Sequence, residues 1–209
     1  IAFSNDTSIA GNGAYTLGFI PSEQVDRVIN YASSKGITRF GALAPNNAYG
    51  VRVVEALKKT AQSLGATVTR SQFYDPTADD FTSVVREFAD YDTRRRDLLE
   101  QRKTLEAQDD EISKRALGRL ENLQTLGDLP FEALFVADGG KRLLSVAALL
   151  PFFDIDPGKV RMLGTGQWDE PGIGKEPALI GGWYAAPPPS ARIDFDKQYQ
   201  EIYGNRPPR

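Results

Sequence analysis

The run Phe40-Gly41-Ala42-Leu43-Ala44-Pro45-Asn46-Asn47-Ala48-Tyr49-Gly50 decides the fold. An apolar stretch stops at a proline, turns through two asparagines and hands over to residues with Val53, Val54, Leu57, Ala61 and Leu64 on one side, ending at Gly65. Ile37 to Ala44 therefore reads as a buried strand, and the segment after the loop as an amphipathic helix. Reading outward, the same unit recurs. Upstream, a polar, glycine-bearing stretch from Ser4 to Gly13 and an extended segment from Tyr15 to Phe19 lead into Pro21-Ser22-Glu23-Gln24. Proline in a first turn, followed by Val25, Val28, Ile29 and Ala32 at helical spacing, marks a helix that stops at Gly36. Downstream come strand Thr67 to Tyr74, a turn at Asp75-Pro76, a helix from near Asp79, strand Glu132 to Ala137, helix Lys141 to Leu150 and strand Val160 to Gly164. Strands alternating with helices of this length predict βαβ units and an α/β fold: a doubly wound parallel sheet covered on both faces. No internal repeat of roughly 20–50 residues interrupts this rhythm.

One stretch does interrupt it. From Asp92 to Glu121 more than half the residues are charged, eight basic and eight acidic, with thin apolar positions at Leu98, Leu99, Leu105, Ile112, Leu117 and Leu120. Tyr91, Leu98 and Leu105 recur every seven residues, and Ile112, Ala116, Leu120 and Leu123 every three or four. This predicts a helical hairpin inserted over residues 91–127, turning at Gln108-Asp109-Asp110 and standing off the lobe. It is either a solvated decoration held by i,i+4 ion pairs or an arm that docks a protein partner.

Composition excludes several classes. The chain has 209 residues, 41% apolar and 25% charged, with a net charge of -3. It lacks the basic footprint of a nucleic-acid binder and any apolar run of the roughly 20 residues that span a bilayer. With no cysteine and no histidine there is no thiol nucleophile, no imidazole base and neither common zinc ligand. An enzyme is not expected, and neither is a cofactor or metal. Gly164-Thr165-Gly166 is followed by Asp169 where a dinucleotide fingerprint needs glycine, and Gly174-Lys175-Glu176 has no glycine five positions before Gly174, so neither is a nucleotide site. The chain opens on apolar Ile1-Ala2-Phe3 and ends on the turn-rich Gly204 to Arg209, which reads as a piece of a longer precursor.

Ligands of open parallel sheets bind beyond the carboxyl ends of the strands. Three loops fall there: Asn46-Asn47-Ala48-Tyr49-Gly50, Asp138-Gly139-Gly140 and Thr165-Gly166-Gln167-Trp168-Asp169. Together they offer amides, a carboxylate, glycine backbone and two aromatic rings, the mixture of a small-molecule cleft. The candidates are Asn47, Tyr49, Asp138, Gly139, Gly166, Gln167 and Trp168. Each also has a structural reading: Asn46 or Asn47 as a helix cap, Asp138-Gly139-Gly140 as a turn, Trp168 as core.

The run from Phe40 to Gly50, with Phe73-Tyr74-Asp75-Pro76 and Asp80-Phe81, resembles the branched-chain amino-acid and amide-binding group of type I periplasmic binding proteins. The stretches Ala137 to Gly140, Leu163 to Trp168 and Glu176 to Tyr184 look more like the penicillin-binding-protein activators, the LpoA-like subgroup. The resemblance implies two lobes around a cleft. Residues 1–20 would end the first lobe, 21–184 would form the second, and 185–209 a helix returning towards the hinge. Asn5 and Thr7 then inherit a ligand-holding role from the first-lobe loop, and Tyr49 that of a tyrosine packing on the ligand. Where amino-acid binders place a tyrosine this chain has Gly139-Gly140, and where they place an ammonium-binding glutamate it has Gly166, with Gln167 and Trp168 beside it. The resemblance thus points to a periplasmic, non-catalytic module, possible to anchor by lipid through an upstream segment, that regulates peptidoglycan synthesis by contact with a synthase. The alternative is an ABC-transporter receptor for a small polar, amino-acid-like or amide ligand.

Overall fold

A computed structural model describes all residues except 3, 5–8, 14, 17, 109, 189, 206, 208 and 209. Five parallel strands carry it: β1 (Arg39–Pro45), β2 (Thr67–Tyr74), β3 (Ala133–Val136), β4 (Arg161–Gly164) and β5 (Trp183–Tyr184). Their order across the sheet is β2-β1-β3-β4-β5, so the winding reverses between β1 and β3. Such a reversal sends the loops after the two strands to opposite faces and opens a crevice between them.

Alternation along the strands divides the core in two. Phe40, Ala42 and Ala44 of β1, with Ala133, Phe135 and Ala137, pack under α1 (Pro21–Ser34) and α2 (Ala48–Ser63). Leu43, Leu134, Val136 and Met162 pack on the other face against α3 (Thr82–Phe88) and α6 (Gly140–Leu149). The near-continuous burial of β1 and β3 is what a sheet covered on both sides demands. The doubly wound α/β class read from the sequence is therefore the observed one.

Some boundaries differ. Helix α3 starts at Thr82 and not near Asp79, because the Asp80 carboxylate takes the Thr82 backbone N–H at 2.8 Å and turns the chain first. Strand β5 has only two residues, too short to show period-two alternation. The charged insertion forms α4 (Tyr91–Gln108) and α5 (Glu111–Leu120), turning between them where expected. Its base is bolted to the sheet and its covering helices. Leu98 is buried, the Arg94 guanidinium donates to Gly127 O at 2.8 Å and Asp154 at 3.1 Å, and Leu126 N–H closes on Arg94 O at 3.0 Å. The outer part is solvated, with Ile112 82% exposed. A last helix, α7, spans Ser190–Tyr203. Among the described residues no helix is long and apolar enough to cross a membrane.

Candidate functional site

Two hydrogen bonds span the carboxyl edge of the sheet, each crossing over an intervening strand end. Tyr49, in the first turn of α2, shares a 2.8 Å bond with the Thr165 hydroxyl after β4, reaching across the end of β3. Tyr74, the last residue of β2, donates to Asp138 Oδ2 at 2.8 Å across the end of β1. Four loops are thereby tied into one rim at the winding reversal.

Asp138 is the hub. Its side chain is only 4% exposed and accepts four hydrogen bonds: Oδ1 from Gly139 N–H at 2.8 Å and Arg142 Nη2 at 2.9 Å, Oδ2 from Tyr74 and from Arg142 Nε at 2.9 Å. Every acceptor position of the carboxylate is filled. A buried carboxylate is tolerable only when paired in this way. The Asp138 hydrogen bond and charge hold the Arg142 guanidinium above its ordinary pKa. Burial pushes the Tyr74 phenol up, and the Asp138 charge adds to it. Burial also raises Tyr49, against the hydrogen bond from Thr165 and with a smaller push from Asp138.

Close backbone approach needs glycine at two of these loops. A Cβ on Gly50 would lie 2.0 Å from Pro45 O, so the β1–α2 turn closes only with glycine there. A Cβ on Gly139 would lie 2.9 Å from Gln167 O, so the β3 and β4 loops touch through that position. From α1, Gln24 Oε1 takes Gly166 N–H at 2.7 Å and adds a fifth element to the rim.

The candidates sort as follows. Tyr49, Asp138, Gly139, Gly166 and Gln167 are brought together; Gln167 is exposed. Asn47 caps α2, its Oδ1 accepting from Gly50 N–H at 2.9 Å. Trp168 lies beneath the rim and not on it. It is 3% exposed, its Nε1 donates to Val136 O at 3.3 Å, and its indole lies so flat on β4 that a Cβ on Gly164 would stand 2.2 Å from the ring. Asn5 and Thr7 lie outside the described residues. Sequence reasoning missed Tyr74, Arg142 and Gln24. The strand-end rule finds Tyr74 when applied to β2 as well, and Arg142, in the first turn of α6, stands four residues after Asp138 in the loop before it. Gln24 meets Gly166 across 142 residues of chain and carried no local signal.

The rim's hydroxyls and glycine amides are bonded, among the described residues, to one another and to Asp138 and Gln24, while the Arg142 side chain is 45% exposed. Among the described residues no group of three or more His, Cys, Asp or Glu side chains is placed to hold a metal. Two grooves lie elsewhere. One of about 530 Å³ runs between α1 and β5 beside Tyr31 and Trp183, and one of about 570 Å³ lies beside α3 and the foot of α4.

The sequence profile of the family described as periplasmic binding protein matches residues 2–209. No match was found among curated proteins. In solved structures the fold is similar to an ABC transporter substrate-binding protein from Sphaerobacter thermophilus (TM-score 0.62, 12% identity, 95% of this chain and 46% of that one). It is also similar to an extracellular ligand-binding receptor from Rhodopseudomonas palustris HaA2 (0.60, 15%, 92% and 46%). A leucine binding protein, LivK, from Thermotoga maritima is a third (0.55, 15%, 94% and 48%). The chain thus spans less than half the length of each of these structures.

Proposed function

Because the chain belongs to the periplasmic binding protein family, we propose that it supplies one lobe of a solute receptor of the ABC-transporter kind, with a small ligand seated on the carboxyl rim of the sheet. The observation that carries this reading is the rim itself: Tyr49–Thr165 and Tyr74–Asp138 lock four loops around the winding reversal, where open α/β sheets receive ligands. Rigid, hydrogen-bonded side chains around a crevice are what low-cost recognition needs, since little ordering remains at binding. The structurally similar proteins named as substrate-binding or ligand-binding support it further. The lobe would act in the periplasm, as the family name implies, with or without a lipid anchor, and would bind without catalysis.

Regulation of peptidoglycan synthesis by protein contact is the second reading. It rests on the α4–α5 hairpin, whose outer face exposes Leu99 and Ile112, 51% and 82% respectively. The receptor reading is favoured because the rim is a built constellation, whereas no comparison singles out an activator.

Thermal-shift measurements of the full-length protein against organic acids, amides, amino acids and muropeptides test the choice. A ligand at about 100 times its Kd adds about 2.7 kcal/mol of stability. A small-molecule hit that Tyr49→Phe weakens supports the receptor; stabilisation by a peptidoglycan synthase alone, lost on removing residues 92–121, overturns it.

A further inference from the structure

The donor and acceptor balance of the rim points to the chemistry of the ligand, an inference that rests on the receptor reading above. Asp138 cannot serve an incoming cation. Its four acceptor positions are occupied by Gly139 N–H, Tyr74 O–H and two donors of Arg142, and its side chain is 4% exposed. An ammonium placed here would lose water and find no free counter-charge, a cost of several kcal/mol for a buried ion. The neighbouring carboxylates do not replace it. Asp169 accepts from Tyr184 O–H at 3.4 Å beside β5, and Glu170 is exposed, where an ion pair is worth little.

Arg142 has the opposite balance. Of its five N–H donors, Nε–H and one N–H of Nη2 are committed to Asp138. The outer edge of the fork, formed by Nη1 and the second Nη2 hydrogen, takes no part in the bonds to Asp138, and the side chain as a whole is 45% exposed. A guanidinium gripped along one edge by a buried carboxylate is fixed in orientation, and its other edge has the spacing of a second carboxylate. Beside it, Gly139 lets the β3 loop pack directly on the backbone of Gln167, which fixes the loop that carries Asp138.

We infer that Arg142 is the anion-recognising residue of this lobe, that Asp138 and Tyr74 are its positioning residues, and that the ligand is a small organic carboxylate whose carboxylate meets the outer edge of Arg142. Such a ligand needs no ammonium. The contact is bidentate and charge-assisted, so a neutral amide of the same shape, which offers one acceptor and two donors, fits it less well.

Three probes of matched shape separate the possibilities: butyrate, butyramide and butylammonium, each titrated into the ¹⁵N-labelled 209-residue chain, with sodium chloride as the ionic-strength control. Readouts are the Arg142 Nε–H resonance and the backbone amides of Gly139, Gly166 and Gln167. The expected result is that butyrate shifts these signals with a Kd at least tenfold lower than either other probe. Arg142→Met should abolish that preference, and Arg142→Lys, which keeps the charge but not the fork, should retain only part of it. Chemical shifts of the β3 and β4 core amides report that each variant remains folded. Equal or tighter binding of butyramide or butylammonium at the same amides overturns the carboxylate assignment and leaves the binding function of the rim standing. Shifts for butyrate that persist unchanged in Arg142→Met remove Arg142 from recognition. If none of the three probes perturbs the rim, this inference falls, and the receptor reading is decided separately by the thermal-shift panel.

Discussion

Replacing Asp138 by alanine should cost more stability than any other single polar substitution on the rim, because one carboxylate satisfies three other groups. The Tyr74 hydroxyl belongs to a side chain 3% exposed, so losing its acceptor leaves a buried donor unpaired, at about 1–3 kcal/mol. The Arg142 contribution is smaller, about 1 kcal/mol or less, since a guanidinium 45% exposed can turn to water. The sum is about 1–4 kcal/mol, and at roughly 2–4 °C per kcal/mol for a chain of this size the Tm should fall by roughly 2–16 °C. Urea unfolding of the parent, Asp138→Ala, Tyr74→Phe and the double variant completes a cycle. A coupling energy of about 1–2 kcal/mol is expected, because without the phenol hydroxyl there is no donor left to strand. An additive cycle, or a loss under about 0.5 kcal/mol for Asp138→Ala, would show that the buried network does not hold the rim and would refute the reasoning.

Other consequences can be measured on the same preparations. Tyr49 and Tyr74 hold their protons more tightly folded than unfolded, so the stability they confer is whole below about pH 10 and is lost as pH rises beyond it. Urea midpoints between about pH 8 and 11 should fall less steeply in Tyr74→Phe than in the parent, and parallel curves would contradict the assigned burial. Gly50→Ala, which sets a Cβ 2.0 Å from Pro45 O, should destabilise by at least about 1–3 kcal/mol. Gly118→Ala, with nothing within 4 Å on solvated α5, should stabilise by about 0.5–1 kcal/mol; calorimetry of the pair checks the sign of each. In the hairpin, Leu98→Ala should cost about 2–5 kcal/mol and the exposed Ile112→Ala less than about 0.5 kcal/mol. Equal effects in denaturant titrations would mean the hairpin base is not docked as described.

What the sequence disclosed follows from how far each signal reaches along the chain. Strand β1, α2 and β2 were legible because apolar periodicity, a proline and a closing glycine act within a few residues. The bound of β2 at Thr67 and Tyr74 was read to the residue. The hairpin was legible because its turn sits between two differently phased leucine patterns. The clustering of the strand-end loops was legible, their contacts less so. The strand-end rule put Tyr49 and Asp138 at the carboxyl edge, yet their partners Thr165 and Tyr74 come from elements whose adjacency only the strand order fixes. Trp168 misleads for a physical reason: an aromatic after a strand end can point up to a ligand or fold down onto a glycine, and nothing local in the sequence shows that Gly164, at the end of the strand, leaves room for the ring. Strand β5, two residues between turns, carries no pattern at all.

The attachment of the α4–α5 hairpin has a practical corollary. It departs after α3 and returns through Leu129 and Phe131 into the start of β3, so both its feet meet the lobe where strands begin, whereas the rim lies where they finish. Its tip, between Gln108 and Asp110, is therefore a natural splice point. A fluorophore or small tag grafted there would ride on a stem clamped by Arg94 and Leu98 and report on the lobe without trespassing on the crevice.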